Sequence, residues 1–283
     1  MPSIADKRRE FRRLHDSGCF VIPNPWDIGS ARYLQGLGFK ALASTSAGFA
    51  FTQGLPDGGV PLDMMLAHLR ELSNVTDIPM NADFEGGFAD DPEGVAQNVR
   101  LCCETGVAGL SIEDSTGNAD KPLYDFDLAV ARVRAARAAI DKAGGDVVFT
   151  ARSEGFIRNR PDLAETIRRL KAFADAGADC LYAPGIKTQE EIEAIVAAVK
   201  PKPVNFLMAA AMPFTITELE RLGVRRISVG GTLARVAWTG VIRAAQEIAN
   251  GGTFTKLAGT IANAELNAFF GDDMKRRTPK TGG

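Results

Sequence analysis

The sequence predicts an α/β protein, a (β/α)8 TIM barrel with an N-terminal helix and a C-terminal helix. Eight short β-branched runs alternate with Ala-, Leu- and Arg-rich stretches of helical period. Gly-Val or Gly-Ala pairs stand before several of the runs, as where a helix ends in Gly and a buried strand begins. No linker interrupts the alternation, so residues 1–283 are read as one barrel domain.

The elements follow in order. Residues 1–18 (MPSIADKRREFRRLHDSG) form a basic amphipathic helix. The eight strands are CFVIPNP from Cys19, ALASTS from Ala41, PMNADFE from Pro79, GLSIEDS from Gly109, VVFTARSE from Val147, CLYAPG from Cys180, PVNFLMA from Pro203 and RISVG from Arg226. Each precedes a helical segment. Residues 251–283 supply a last apolar helix and a basic tail, and Phe269 and Phe270 there need a surface on this barrel or on a second subunit. The basic clusters Lys7 to Arg13 and Lys275 to Arg277 read as solvated faces.

Composition removes whole classes of function. Lys plus Arg number 33 against 35 Asp plus Glu, a formal net charge of −2, so no positive field exists to hold nucleic acid. No apolar run approaches the roughly 20 residues of a membrane span, and the basic N-terminus lacks a signal core, which predicts a cytoplasmic protein with no membrane partner. Cys19, Cys102, Cys103 and Cys180 form no metal-binding spacing and are expected as reduced thiols. The two histidines, His15 and His68, fall in segments that read as surface helices. Triad and His-metal chemistry therefore lack their central residue.

In such barrels chemistry sits at the carboxyl ends of the strands, and polar residues collect there. Asn24 and Asp27 follow the first strand, Ser44, Thr45 and Ser46 end the second, and Asn81, Asp83 and Glu85 the third. Glu113 and Asp114 end the fourth, Arg152 and Glu154 the fifth, and Asn205 lies in the seventh; the sixth offers only Ala183-Pro184-Gly185. Alternation puts Asn81, Asp83 and Glu85 on one face, and Ser111, Glu113 and Ser115 on the matching face next door. Acids so close repel, so one is protonated, Arg152 neutralises them, or a cation binds. With oxygen ligands alone, that cation would be Mg2+ or Mn2+. The turn Thr45-Ser46-Ala47-Gly48 has small residues whose N–H groups can approach an oxyanion, and Val229-Gly230-Gly231-Thr232 is a weaker candidate phosphate cradle.

The segments PNPWDIGSARYLQGLGFKALASTSAGFAFTQGLPDG, NADFEGG, GVAGLSIEDS and FTARSEGF resemble the isocitrate lyase and phosphoenolpyruvate mutase superfamily, in order from about Val21 to Gly231. The resemblance implies a barrel with a swapped terminal helix, a Mg2+ ion, and bond making or breaking beside a 2-oxo acid through an enolate. It implies that Thr45, Ser46 and Ala47 hold the substrate oxyanion, that Asp57 orders metal waters, and that Asp83 and Glu113 belong to the metal site. Arg152 would grip the substrate. Asn81 stands where the family metal motif begins with Asp, so that carboxylate ligand is replaced either by the Asn81 amide or by Glu85. The loop STGNADKPLY lacks the cysteine and histidine of the isocitrate and methylisocitrate lyases, and Ala183 occupies the position of a mutase histidine.

The expected function is a Mg2+-dependent lyase or decarboxylase of a small 2-oxo or 2-hydroxy dicarboxylate, working through an enolate. The alternatives are a phosphonopyruvate-type mutase or hydrolase, and a non-catalytic 2-oxo acid binding protein. The expected catalytic residues are Arg152, Asp57 and Thr45; the substrate ligands are Thr45, Ser46, Ala47, Arg152 and Asn205; the metal ligands are Asp83, Glu113 and Glu85. A homo-oligomer, dimer or tetramer, is expected.

Overall fold

In the computed structural model, which describes residues 2–277, all eight expected strands form one parallel sheet. They are β1 (Phe20–Ile22), β2 (Leu42–Ala43), β3 (Met80–Asp83), β4 (Gly109–Glu113), β5 (Val148–Arg152), β6 (Cys180–Tyr182), β7 (Val204–Leu207) and β8 (Arg226–Ser228). Their order is β1-β8-β7-β6-β5-β4-β3-β2. The ring closes between β2 and the end of β1, where the Ala43 N–H donates to the Pro23 carbonyl and Asn24 Nδ2 to the Ser44 carbonyl.

The helices are α1 (Ile4–Leu14), α2 (Ile28–Gly36), α3 (Ser46–Thr52), α4 (Leu62–Val75), α5 (Pro92–Cys103), α6 (Phe126–Lys142), α7 (Leu163–Asp175), α8 (Gln189–Val199), α9 (Ile216–Arg221), α10 (Thr232–Gly251) and α11 (Asn263–Arg277). Their starts obey capping chemistry. Ser3, Asp27, Thr188 and Thr215 close capping boxes, and Thr45, Asp91 and Asp162 each accept an N–H of the first turn. Apolar residues from the strands and the inward faces of α4 to α8 build the main core.

α1 plugs the amino-terminal end of the barrel. Phe11 inserts among Ile22, Ala41, Ala43, Ala108 and Val148. Gly109 makes room for it, since a Cβ there would lie 2.4 Å from Phe11 Cε1. The basic cluster of this helix, expected as a solvated face, is partly buried. Lys7 is buried and its Nζ donates to the carbonyls of Ser73 and Thr76, while Arg8 donates to Val107 and Cys103 carbonyls and to Asp146. Those carbonyls end other elements, so the cations act as caps between elements.

Both histidines face inward rather than lying on surface faces. His68 stacks on Phe49 with ring centroids 3.7 Å apart, and His15 packs edge-on to Phe11 and Phe20. Burial pushes the His68 imidazole down to about 4 and that of His15 to about 3, Arg226 adding to the second effect. Cys102, Cys103 and Cys180 are buried free thiols.

The C-terminal segment divides in two. α11 docks on α2 of the same chain, its Phe269 ring over Gly36 and beside Tyr33, and Asp273 buried against Arg32. α10, the helix after β8, buries only Ala234 and exposes Val236, Trp238, Val241 and Ile242. The end of the basic tail, 278–283, lies outside the described residues. Among the described residues no helix is long and apolar enough to cross a membrane.

Candidate active site

The carboxyl ends of the strands open into a cavity of about 740 Å3 lined by Ser46, Asp57, Glu85, Glu113, Arg152 and Arg158, among others. A smaller space of about 170 Å3 continues down the barrel axis past Thr45, Ala47, Asp83, Tyr182 and Asn205. Register explains the convergence. Glu113 of β4 pairs with Arg152 of β5, which pairs with Tyr182 of β6, so three side chains meet on one rung.

Arg152 is the hub. Its Nη1 lies 2.8 Å from Asp83, its Nη2 3.0 Å from Glu113 and its Nε 2.9 Å from Glu154, and its guanidinium sits 5.2 Å from the centre of the Tyr182 ring. Of the ways to relieve acid repulsion, neutralisation by Arg152 is therefore visible here. Arg158 joins from the loop after β5, with Nη2 3.1 Å from Glu113 and Nε 3.7 Å from Glu154. Burial pushes the Glu154 carboxyl above its ordinary range, with Arg152 pulling it back.

Negative charge still exceeds positive. Asp57, Asp83, Glu85, Glu113 and Glu154 surround two arginines. Burial and the neighbouring Asp83, Glu113 and Asp57 push Glu85 up to about 8, and its buried Oε1 has no hydrogen-bond partner among the described residues. Burial, then Asp83, raises Asp57. Glu85 is not carried by strand alternation, because β3 ends at Asp83; it sits in the following turn at φ 46, a left-handed backbone uncommon for a side chain of its size. Arg132 of α6 holds that turn, donating to the carbonyls of Gly86, Ala89 and Asp90.

Ser46 and Ala47 open α3. The Ser46 N–H and hydroxyl both donate to Asp83 Oδ2 at 3.0 Å, while Thr45 accepts the Gly48 N–H as helix cap. Asn205 is fully buried, its amide bridging Ser228 Oγ and Arg226 Nε, so it is tied into the barrel interior. Asn81 lies below Asp83 and is buried, with Oδ1 unpartnered among the described residues. Asp114 faces away from the mouth, bound to Arg169 and to the Glu154 N–H. The Gly230 cradle is filled by Asn24, whose Oδ1 accepts the N–H groups of Val229 and Gly230.

The strand-end pattern marks Glu154 without giving it a role, and it does not mark Tyr182, Tyr124 or Arg158. Alternation from Cys180 would have placed Tyr182 on the inward face. Tyr124 ends the 115–124 loop and donates its hydroxyl to Asp90; burial pushes its phenol up to about 12. That loop is pinned by a bridge between Ser115 and Leu123. Arg158 belongs to a loop with no periodicity to reveal it.

The donor set suits a hard divalent cation: oxygen ligands only, excess negative charge, and an orphaned carboxylate oxygen on Glu85. Among the described residues no three acidic, His or Cys side chains form a ready cage, since Arg152 stands between them.

A barrel with an acid- and arginine-lined mouth defines a class that the comparisons specify. The sequence profile of phosphoenolpyruvate phosphomutase matches residues 11–249, and the chain belongs to that family, within the isocitrate lyase and phosphoenolpyruvate mutase superfamily of lyases and mutases. A Burkholderia cenocepacia J2315 crystal structure provisionally assigned as a lyase/mutase is 46% identical, covers 95% of this chain and 97% of its own, and superposes with a TM-score of 0.91. The oxaloacetate decarboxylase of Paraburkholderia xenovorans is 32% identical over 231 residues, 78% of this chain and 74% of its own. A structure of oxaloacetate acetylhydrolase with its product oxalate is 27% identical over 97% of this chain and 98% of its own, at a TM-score of 0.83.

Proposed function

We propose that the protein is a Mg2+-dependent lyase or decarboxylase of a small 2-oxo or 2-hydroxy dicarboxylate, acting through an enolate. The observation that carries this reading is the excess of carboxylates around Arg152 beside the Ser46-Ala47 turn. Similarity to the oxaloacetate decarboxylase supports it. Asp83, Glu113 and Glu85 would hold the ion, with Asp57 orienting its waters. When bound, the ion supplies Lewis-acid stabilisation of negative charge on oxygen.

The chain's own groups do the rest. Loss of CO2 from a 2-oxo diacid leaves an electron pair that spreads onto the enolate oxygen. Arg152 and the first N–H groups of α3 lie where this charge develops; Arg152 and the Ser46 N–H also hold Asp83, so the oxyanion would share them with that carboxylate, and in a partly buried site they act more strongly than in water. The loop 115–124 has neither Cys nor His, and its one ionisable aromatic side chain, Tyr124, is engaged by Asp90. With no donor from that loop, we take water as the proton source for the enolate carbon, which favours decarboxylation over isocitrate cleavage. That same loop favours, as second reading, a protein that binds 2-oxo acids without turning them over.

We further propose a cytoplasmic homo-oligomer in which a second copy covers α10. Its exposed Val236, Trp238, Val241 and Ile242 lie on a helix that covers little of its own barrel. Light scattering of Trp238→Glu would show a smaller species than the parent. Titration with oxalate tests the site: binding that requires Mg2+ is expected, and equal affinity without Mg2+ contradicts the reading.

A further inference from the structure

Beside the main cavity lies a second space of about 550 Å3, lined by Asn118, Ala119, Pro122, Ile157, Arg158 and Arg160, among others. It joins the main cavity, since Ser115, Gly117, Ile157 and Arg158 line both. The two spaces differ sharply in charge. The inner one gathers carboxylates, whereas among the described residues the only charged ones lining the annex are Arg158 and Arg160.

Arg158 is partly engaged by the inner acids, with Nη2 3.1 Å from Glu113 and Nε 3.7 Å from Glu154, while among the described residues its Nη1 makes no hydrogen bond and the Arg160 side chain makes no ion pair. Both stand on a fixed turn. The Arg158 N–H donates to Glu154, the Arg160 N–H to Gly155 at 2.8 Å, and Asn159 between them takes the left-handed conformation at φ 58, which Asn tolerates. Two guanidinium groups on a preformed turn, facing a space free of acids, are the chemistry that recognises a carboxylate.

We propose that this annex is the subsite for a second acid group. The substrate is then a diacid whose 2-oxo or 2-hydroxy end lies against Ser46 and Arg152, and whose distal carboxylate lies between Arg158 and Arg160. This rests on the 2-oxo acid reading of the inner site. It also gives Arg158 a linking position, since the same side chain touches Glu113 of the inner site and faces the annex.

The test is calorimetric titration of the intact protein in Mg2+ with oxalate, pyruvate, oxaloacetate and 2-oxoglutarate, repeated on Arg160→Gln and Arg158→Gln. The parent should bind at least one of the two diacids about tenfold or more tighter than pyruvate, the scale of one charge-assisted hydrogen bond. Arg160→Gln should lose most of that margin while oxalate and pyruvate affinities hold, and Arg158→Gln should lose it too. Oxalate binding with no diacid margin, or a margin that survives both substitutions, would overturn the subsite alone. Failure of oxalate to bind the parent protein would overturn the inner-site reading and this proposal with it.

Discussion

Replacing Arg152 by Gln removes the cation that three carboxylates share. Glu154 has a side chain 1% exposed, Glu113 10% and Asp83 20%, so the loss is felt mainly at Glu154, which water cannot reach. Removing one partner of a buried ion pair costs about 3–5 kcal/mol. Arg158 still lies 3.7 Å from Glu154 and 3.1 Å from Glu113, which places the expected cost at the low end, about 3 kcal/mol. For a chain of this size that corresponds to a fall in Tm of roughly 6–12 °C. Burial already holds the Glu154 carboxyl above its unfolded value with Arg152 pulling it back, so without Arg152 it rises further. The penalty is thus full at high pH and fades as pH falls through the folded-state values, so the deficit should be larger at pH 8 than at pH 5.5. Thermal unfolding of parent and variant at the two pH values measures it. An unchanged Tm, or a deficit that grows on acidification, would refute the view of Arg152 as electrostatic hub.

Asp83→Ala should abolish Mg2+-dependent oxalate binding, because it removes a proposed ligand and the acceptor of both Ser46 hydrogen bonds; calorimetry checks this, and unchanged affinity contradicts it. Burial holds His68 down at about 4, so the unfolded chain binds the extra proton between its ordinary value and 4. Stability should therefore decline as pH falls through that window, by up to about 1.4 kcal/mol per pH unit, and His68→Phe should flatten the slope in denaturant titrations. Gly36→Leu would set a Cβ 2.6 Å from the Phe269 ring, so α11 should undock and its residues be cut earlier by trypsin, with the barrel intact by circular dichroism.

Much of this molecule was legible because barrel strands are short, buried and regularly spaced. All eight were found, and the mouth residues Asp83, Glu113 and Arg152 followed from where strands end. What periodicity could not supply was partnership. Asn205, expected as a substrate ligand, lines the inner space while its amide bridges Ser228 and Arg226, and Asn24, seen only as a polar strand-end residue, proves to hold the Val229-Gly230 turn. Glu85 reaches the cavity through a left-handed turn rather than a strand face, and Arg158 through a loop. The histidines were misplaced because a helix with one polar residue on its inner face looks, by composition, like a surface helix; stacking on Phe49 compensates His68 for the water it loses.

Turnover of oxaloacetate tests the central claim most directly. Pyruvate release with Mg2+ should exceed a metal-only blank, should disappear in Asp83→Ala, and should be accompanied by no glyoxylate when isocitrate is supplied instead. A rate no better than the blank, with oxalate still bound, would contradict catalysis and leave a 2-oxo acid binding protein; robust glyoxylate release would contradict the role given to the 115–124 loop.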